Sequence, residues 1–340
     1  APKGYGRLEN FFKKKGFKED FLIETGLFSK NEDKVRSLFF DRIIFPIINN
    51  KGECIAFGGR ILNPESKPKY INSPETAAYK KSFSLFGINL SKEYIQKEKR
   101  AFIVEGYMDV ISCFMNGVKN VVAPCGTAVT KDQIKLITRY ANEIVVLLDG
   151  DEAGLKGAVK AIFEMANIED IKSMVLVLPD NMDPDDYFKK YNIDDFKIFS
   201  KQMITGFDFL IFYKTRNINL KEYDKLIGSL TFLFEYIKLW DSEIIRNSFI
   251  LNISERLKIE KNVVFREFDN YLKNKTKYKT DLQNSNSQTG DDKLDKNNAK
   301  ESKLNALSKK DIREIEIILF LNNYKESIEI INLCDLSSHF

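Results

Sequence analysis

Between residues 101 and 190 short apolar runs alternate with helix-length amphipathic stretches, and that rhythm restricts the fold more than any other feature of the chain. The runs fall at 101–104, 120–125, 143–148 and 173–178, with helix-length stretches near 108–116, 130–141 and 152–166. Strands of this kind separated by helical spacers predict a parallel sheet wrapped by helices, an α/β unit. The flanking sequence lacks the rhythm. Residues 8–40 read as helical and amphipathic, with Leu8, Phe11, Phe12, Phe21, Leu22 and Leu27 among lysines and breaks at Gly26 and Asn31. Residues 42–62 hold two apolar runs around Asn49-Asn50-Lys51-Gly52, which predicts a β-hairpin.

Residues 206–272 carry helical spacing, as in Leu226, Leu230, Leu233 and Ile237. Residues 273–303 lose their hydrophobes to Lys, Asn, Ser and Asp, the composition of a disordered linker, and helical spacing resumes at about 308–332. At about 100–200 residues per domain, 340 residues make two or three folded units. The expected order is a mixed α/β subdomain over 1–100, the sheet unit over 101–190, a helical subdomain over 191–272, the linker over 273–303 and the start of a helical region over 304–340. The fold class is thus α/β in its centre and α+β as a whole.

Chemistry is narrowed first by what is scarce. The chain has one histidine, His339, and four scattered cysteines with no C-x-x-C pair. That excludes Ser-His-Asp and Cys-His mechanisms and His-ligated metal in the folded body, and speaks against a zinc ribbon or a disulfide framework. The net charge of +4 is uneven, because residues 1–100 carry 20 Lys/Arg against 12 Asp/Glu and the remainder 33 against 37. A basic first third beside an acidic remainder fits a polyanion surface next to a carboxylate-rich site. No apolar run approaches the ~18 residues of a membrane helix and nothing resembles a signal peptide, so the expectation is a cytoplasmic protein without membrane contact. The start at Ala1 is read as processed or truncated.

Carboxylates stand where three of the strands end. The first run leads into Glu105-Gly106-Tyr107-Met108-Asp109, the third into Asp149-Gly150-Asp151-Glu152-Ala153-Gly154, and the fourth into Asp180 and Asp183-Pro184-Asp185. In an open parallel sheet ligands sit at the carboxyl ends of the strands, so Glu105, Asp149 and Asp151 are expected to converge on one edge. Crowded carboxylates need a cation or protons, and hard oxygen ligands point to Mg²⁺ or Mn²⁺. Gly106, Gly126, Gly150 and Gly154 each follow a strand, where the backbone must turn tightly or approach a ligand.

Together, Glu-Gly-Tyr-Met-Asp at 105–109, Gly126-Thr127, Asp-Gly-Asp-Glu-Ala-Gly at 149–154 and Asp-Pro-Asp at 183–185 resemble the Toprim domain of bacterial replicative DNA primases. The stretches 42–47, Phe57-Gly58-Gly59-Arg60 and 69–76 resemble that family's amino-terminal core subdomain. The resemblance covers roughly residues 1–272 and implies a DNA-directed RNA polymerase, a nucleotidyltransferase that makes RNA primers. It implies Glu105, Asp149 and Asp151 as metal ligands at the reacting centre, with Asp109, Asp183 and Asp185 completing the acidic cluster around Mg²⁺ or Mn²⁺. It also implies Arg60, Lys69 and Lys81, with Arg42 and Asn72, on the face that holds template and nucleotide. The implied partners are single-stranded DNA, ribonucleoside triphosphates and a replicative helicase, with the chain a monomer. The family's zinc module has no Cys/His set here and is expected upstream of Ala1, while residues 304–340 are shorter than a helicase-binding domain. The rival readings are a Toprim nuclease or topoisomerase-like phosphodiester transferase, and a non-catalytic single-strand-binding and helicase-docking fragment.

Overall fold

Two short helices open the described chain, α1 (Arg7–Lys14) and α2 (Glu19–Glu24), and Gly26 in the left-handed region (φ 68°) turns it out of α2. Residues 7–285 are described by the computed structural model, apart from 32, 33, 64, 66, 127 and 219–222. The helical reading of 8–40 fails after this turn. β1 (Phe28–Asn31) and β2 (Lys34–Ser37) pair antiparallel, with Ser29 opposite Arg36 and Lys30 opposite Val35. Phe28 and Val35 join Leu22 in a small core, so two-residue alternation replaces the helical period where the apolar residues must face one side.

The expected hairpin forms from β3 (Arg42–Ile48) and β4 (Cys54–Ile61), and β5 (Tyr70–Asn72) adds a third strand. Asn49 closes the turn by accepting hydrogen bonds from the N–H groups of Lys51 and Glu53, at 2.9 and 3.0 Å. Pro46 is tolerated because β3 is the outer strand of this sheet.

Next come β6 (Leu85–Phe86), α3 (Ile88–Glu98), β7 (Arg100–Ile103), α4 (Tyr107–Met115), β8 (Val121–Pro124) and α5 (Lys131–Ile137). They are followed by β9 (Glu143–Leu148), α6 (Glu152–Met165), β10 (Lys172–Val177), α7 (Pro184–Lys190), α8 (Ile193–Phe199) and β11 (Ile204–Thr205). The sheet runs β11-β10-β9-β7-β8-β6. Its four inner strands are parallel, as expected, but β6 and β11 pair antiparallel at the two edges and make the sheet mixed. β8 is buried along its whole length and β9 at every residue after Glu143, hence their unbroken apolar runs. The chain passes from β7 to β8 on one side and later returns to β9 on the other. The crevice between the carboxyl ends of β7 and β9 is therefore the switch point at which such sheets bind ligands.

The helical part comprises α9 (Gly206–Thr215), α10 (Tyr223–Ile237), α11 (Glu243–Leu257) and α12 (Lys261–Ser285). Phe163 of α6 meets the rings of Phe232 and Tyr236, which fastens α10 to the sheet unit. Residues up to Asp269 form one compact unit, and of the separate unit from Asn270 only the end of α12 is described. The helix runs past 272 into the stretch expected to be linker, because no Gly or Pro interrupts residues 261–285. The rest of that linker and the helical segment expected within 304–340 lie outside the described residues. No helix among the described residues is long and apolar enough to cross a membrane.

Candidate active site

The floor of the β7/β9 crevice is made by two turns that only glycine permits. A Cβ on Gly154 would lie 2.6 Å from the Asp149 carbonyl oxygen and 2.9 Å from Glu105 Oε1. The first turn of α6 thus passes directly beneath the carboxylate that follows β7. A Cβ on Gly150 would lie 2.9 Å from Asn181 Oδ1, which brings the loop after β10 against the loop after β9.

Each flanking carboxylate is held by one oxygen. Asp109 Oδ2 accepts from the Gly106 N–H at 2.8 Å, Asp151 Oδ1 from Gly154 N–H at 2.7 Å, and Asp183 Oδ1 from Asp186 N–H at 2.7 Å. These are helix caps at the starts of α4, α6 and α7, and they leave the second oxygen of each group available. Asp185 pairs with Lys189 at 2.9 Å, and that bond holds its carboxyl below the usual range.

Charge effects link the six acids to one another. Burial first, then the charges of Glu105, Asp109, Asp183 and Asp151, pushes the Asp149 carboxyl up to about 7. Asp109 rises to about 6, by burial and then by Asp183, Glu105 and Asp185, against the lowering effect of the Gly106 N–H. Glu105 is raised by desolvation and by Asp151. A cation would relieve this repulsion, and an all-oxygen donor set fits Mg²⁺ or Mn²⁺. No three acidic, His or Cys side chains among the described residues close around one point. The arrangement offers single oxygens along an edge, as suits an ion that keeps several waters and takes its remaining ligands from substrate phosphates.

Arg60 and Lys69 come from the three-stranded sheet, on β4 and just before β5, and Lys81 from the segment between β5 and β6. Arg60 lies over the Tyr70 ring at 5.6 Å, and its charge acts on Asp185. Tyr70 feels both Arg60 and Asp109, so this strand borders the acidic cluster. Lys69 is exposed, and Lys81 lies near enough to Cys125 for its charge to act on that thiol.

Two family models match the chain, "DNA primase catalytic core, N-terminal domain" over residues 1–92 and "Toprim-like" over 102–188. The DNA primase of Clostridium acetobutylicum is 36% identical over 265 residues, 78% of this chain and 44% of its own length. That of Listeria monocytogenes is 32% identical over 279 residues, 82% of this chain and 45% of its own. A crystal structure of a DNA primase domain from Pseudomonas aeruginosa superposes with a TM-score of 0.71 at 28% identity, covering 79% of this chain and 85% of that one. The RNA polymerase domain of Mycobacterium tuberculosis primase DnaG does so with a TM-score of 0.66 at 30% identity, covering 75% and 83%. The chain belongs to the catalytic-core family of DnaG-type bacterial DNA primases. It spans less than half the length of these two curated primases.

Within this primase fold two residues expected on the nucleic-acid face hold structure. Arg42 is 6% exposed, and its Nη1 donates to the carbonyls of Gly59 at 3.2 Å, Pro68 at 3.0 Å and Lys69 at 3.5 Å. It lies beneath the face and shapes the loop that presents Lys69. Asn72 accepts from Tyr107 Oη at 2.7 Å and donates to the Cys125 carbonyl at 3.2 Å. It therefore clamps the start of α4 and the turn after β8 to the amino-terminal sheet. Tyr107 is the residue that sequence reasoning passed over, though it stands inside Glu-Gly-Tyr-Met-Asp. Its ring packs on Phe45 and Phe86 in the apolar seam that also buries Tyr79 and Cys125. Thr127 of the expected motif lies outside the described residues.

Proposed function

We propose that this chain carries the nucleotidyl-transfer centre of a DNA primase, which joins ribonucleoside triphosphates into short RNA primers on single-stranded DNA. The observation that carries the reading is the mutual electrostatic coupling of Glu105, Asp149 and Asp151 at the β7/β9 crevice, with Arg60 near enough to Asp185 for its charge to act there. Glu105, Asp149 and Asp151 would hold Mg²⁺ or Mn²⁺ through their free oxygens, with Asp109, Asp183 and Asp185 completing the acidic field. Bound there, the ion would supply charge neutralisation for the triphosphate and activation of the primer 3′-hydroxyl. Arg60 would grip phosphate bidentately and orient it toward the acids, while Lys69 and Lys81 act as point charges along the template path. Arg42 and Asn72 would support that path from beneath.

A related DnaG catalytic domain has been solved bound to single-stranded DNA, at 30% identity, which supports the choice of template. The Aquifex aeolicus primase structure includes a zinc-binding domain beside its polymerase domain, which fits the expectation of a zinc module upstream of Ala1. A replicative helicase as partner, a cytoplasmic setting, a monomeric state and the division into 1–100, 101–190 and 191–272 belong to the same proposal. Asp149→Asn tests the centre. Metal-dependent incorporation should vanish while the fold is kept, with a melting temperature no lower than the parent's. Cleavage of DNA with Mg²⁺ and no nucleotides, lost in the same variant, would favour a nuclease instead. DNA binding with no incorporation by the parent chain would favour a non-catalytic module.

A further inference from the structure

Glu152 stands in the acidic motif, and its shortest side-chain contact comes from the helical part of the chain. Its Oε2 accepts a hydrogen bond from Arg216 Nη2 at 2.6 Å, and Lys156 stands 3.8 Å from Oε1. The Arg216 guanidinium is largely withdrawn from solvent, with its side chain 12% exposed, and it lies 4.7 Å from the centre of the Tyr213 ring. A guanidinium lying over an aromatic ring and bonded to a carboxylate has little rotational freedom left. Tyr213 is close enough that burial first and the Glu152 charge second push its phenol up to about 12.

The far end of the same helix is also fixed. A Cβ on Gly206 would lie 2.6 Å from Ser173 Oγ and 3.2 Å from Ile162 Cγ2, so the start of α9 sits hard against β10 and the later turns of α6. Gly206 to Arg216 and Glu152 to Ile162 are equal separations in sequence, each about 15 Å of helix. α9 thus runs antiparallel along α6 and touches it at both ends. Glu152 is the first residue of α6, and Asp151 is its N-cap. Whatever fixes Glu152 fixes the residue bonded to it.

We infer that Arg216 is a positioning residue, which holds Glu152 and through it sets the Asp151 carboxylate at the mouth of the crevice. The helical part is then a brace on the acidic loop, in addition to being a packed neighbour of the sheet. Removing a group bonded directly to a metal ligand characteristically weakens metal affinity by about 10- to 100-fold, and Arg216, acting one residue further out, belongs at the lower end of that range. The inference rests on the proposed metal centre, and the two can fail separately.

The test uses the whole chain, with Mn²⁺ binding followed by electron paramagnetic resonance without nucleotides. Alongside it runs the Mg²⁺ concentration giving half-maximal incorporation. Arg216→Met keeps the length and apolar stem of the side chain; Arg216→Lys keeps the charge. Arg216→Met should weaken Mn²⁺ binding and raise the Mg²⁺ requirement about 10-fold, with incorporation at saturating Mg²⁺ within about twofold of the parent. Arg216→Lys should recover part of the loss. Glu152→Gln should give the same shift, and the double variant no more than either alone, so the inference can be read even where one variant folds poorly. Unchanged Mn²⁺ binding in both single variants overturns it, as does a loss of incorporation that is uniform at all Mg²⁺ concentrations. If Asp149→Asn leaves Mn²⁺ binding of the parent untouched, the metal centre itself is wrong, and the brace with it.

Discussion

Gly154→Ala sets two effects of one methyl group against each other. In a helix the change favours folding by about 1 kcal/mol, because alanine has less backbone freedom to lose. At this position, however, the new Cβ would stand 2.6 Å from the Asp149 carbonyl oxygen, where ordinary contact begins at 3.4 Å. The separation must widen by the difference, about 0.8 Å, and the obstacle is backbone, which has no other rotamer to take. Overpacking of this kind costs about 1–3 kcal/mol, so the net loss of stability is about 0–2 kcal/mol. The displaced atoms belong to two of the residues proposed to grip the ion, Asp149 and Glu105. Sites of this type tolerate about 0.5 Å, and 1 Å costs on the order of 100-fold in rate. The expected outcome is a small change in melting temperature with incorporation reduced about 10- to 100-fold. Gly157→Ala is the control: it lies in the same helix with nothing within 4 Å of its Cβ. It should raise the melting temperature by roughly 2 °C and leave incorporation alone. Primer synthesis across an Mg²⁺ series, read beside thermal melting, decides the matter. If Gly154→Ala matches Gly157→Ala in both measurements, the close passage of α6 beneath Glu105 does not govern the site.

Asp149 gives a pH signature with a definite sign. Its carboxyl titrates near 7 in the fold against an ordinary 3.8, so the folded state holds the proton more tightly. That contribution to stability is complete below about pH 4 and is lost as pH rises through 7. In EDTA the melting temperature of the parent should therefore fall relative to Asp149→Asn across this window, and a constant difference refutes the assignment. Tyr107→Phe removes the hydrogen bond to Asn72 and should cost about 1 kcal/mol in urea unfolding. Gly126→Ala, at φ 79° with Asn72 Nδ2 in the way of its Cβ, should cost more than Tyr107→Phe in the same assay. Arg42→Met should destabilise by about 1–3 kcal/mol without altering the salt dependence of DNA binding. Lys69→Ala should do the reverse, lowering that slope by about one unit at unchanged stability.

The central strands were legible because burial on both sides forces unbroken apolar runs, and the acids at their ends followed from topology. β6 and β11 were not legible, because a two-residue strand has no period to detect. The hairpin of β1 and β2 was hidden by helical spacing that Gly26 ends, and only the small core around Leu22 shows which side Phe28 must face. Arg42 reads as surface charge in the sequence, since two of the three carbonyls it bonds come from a loop more than twenty residues away. The contact of Arg216 with Glu152 spans 64 residues and leaves no local trace.

The short outer strands have a consequence for any shortened form of the chain. β10 is an apolar strand whose free side, among the described residues, is paired only by Ile204 and Thr205, about thirty residues further on. A fragment ending at the last acid of the site, Asp185, would hold every proposed ligand and still present an open, unprotected row of backbone donors and acceptors beside Met174 and Val175. Such rows recruit further chains. The smallest piece that stays dispersed in solution should therefore extend beyond Thr205, and the boundary of the sheet as a physical object lies some twenty residues past the boundary of its chemistry.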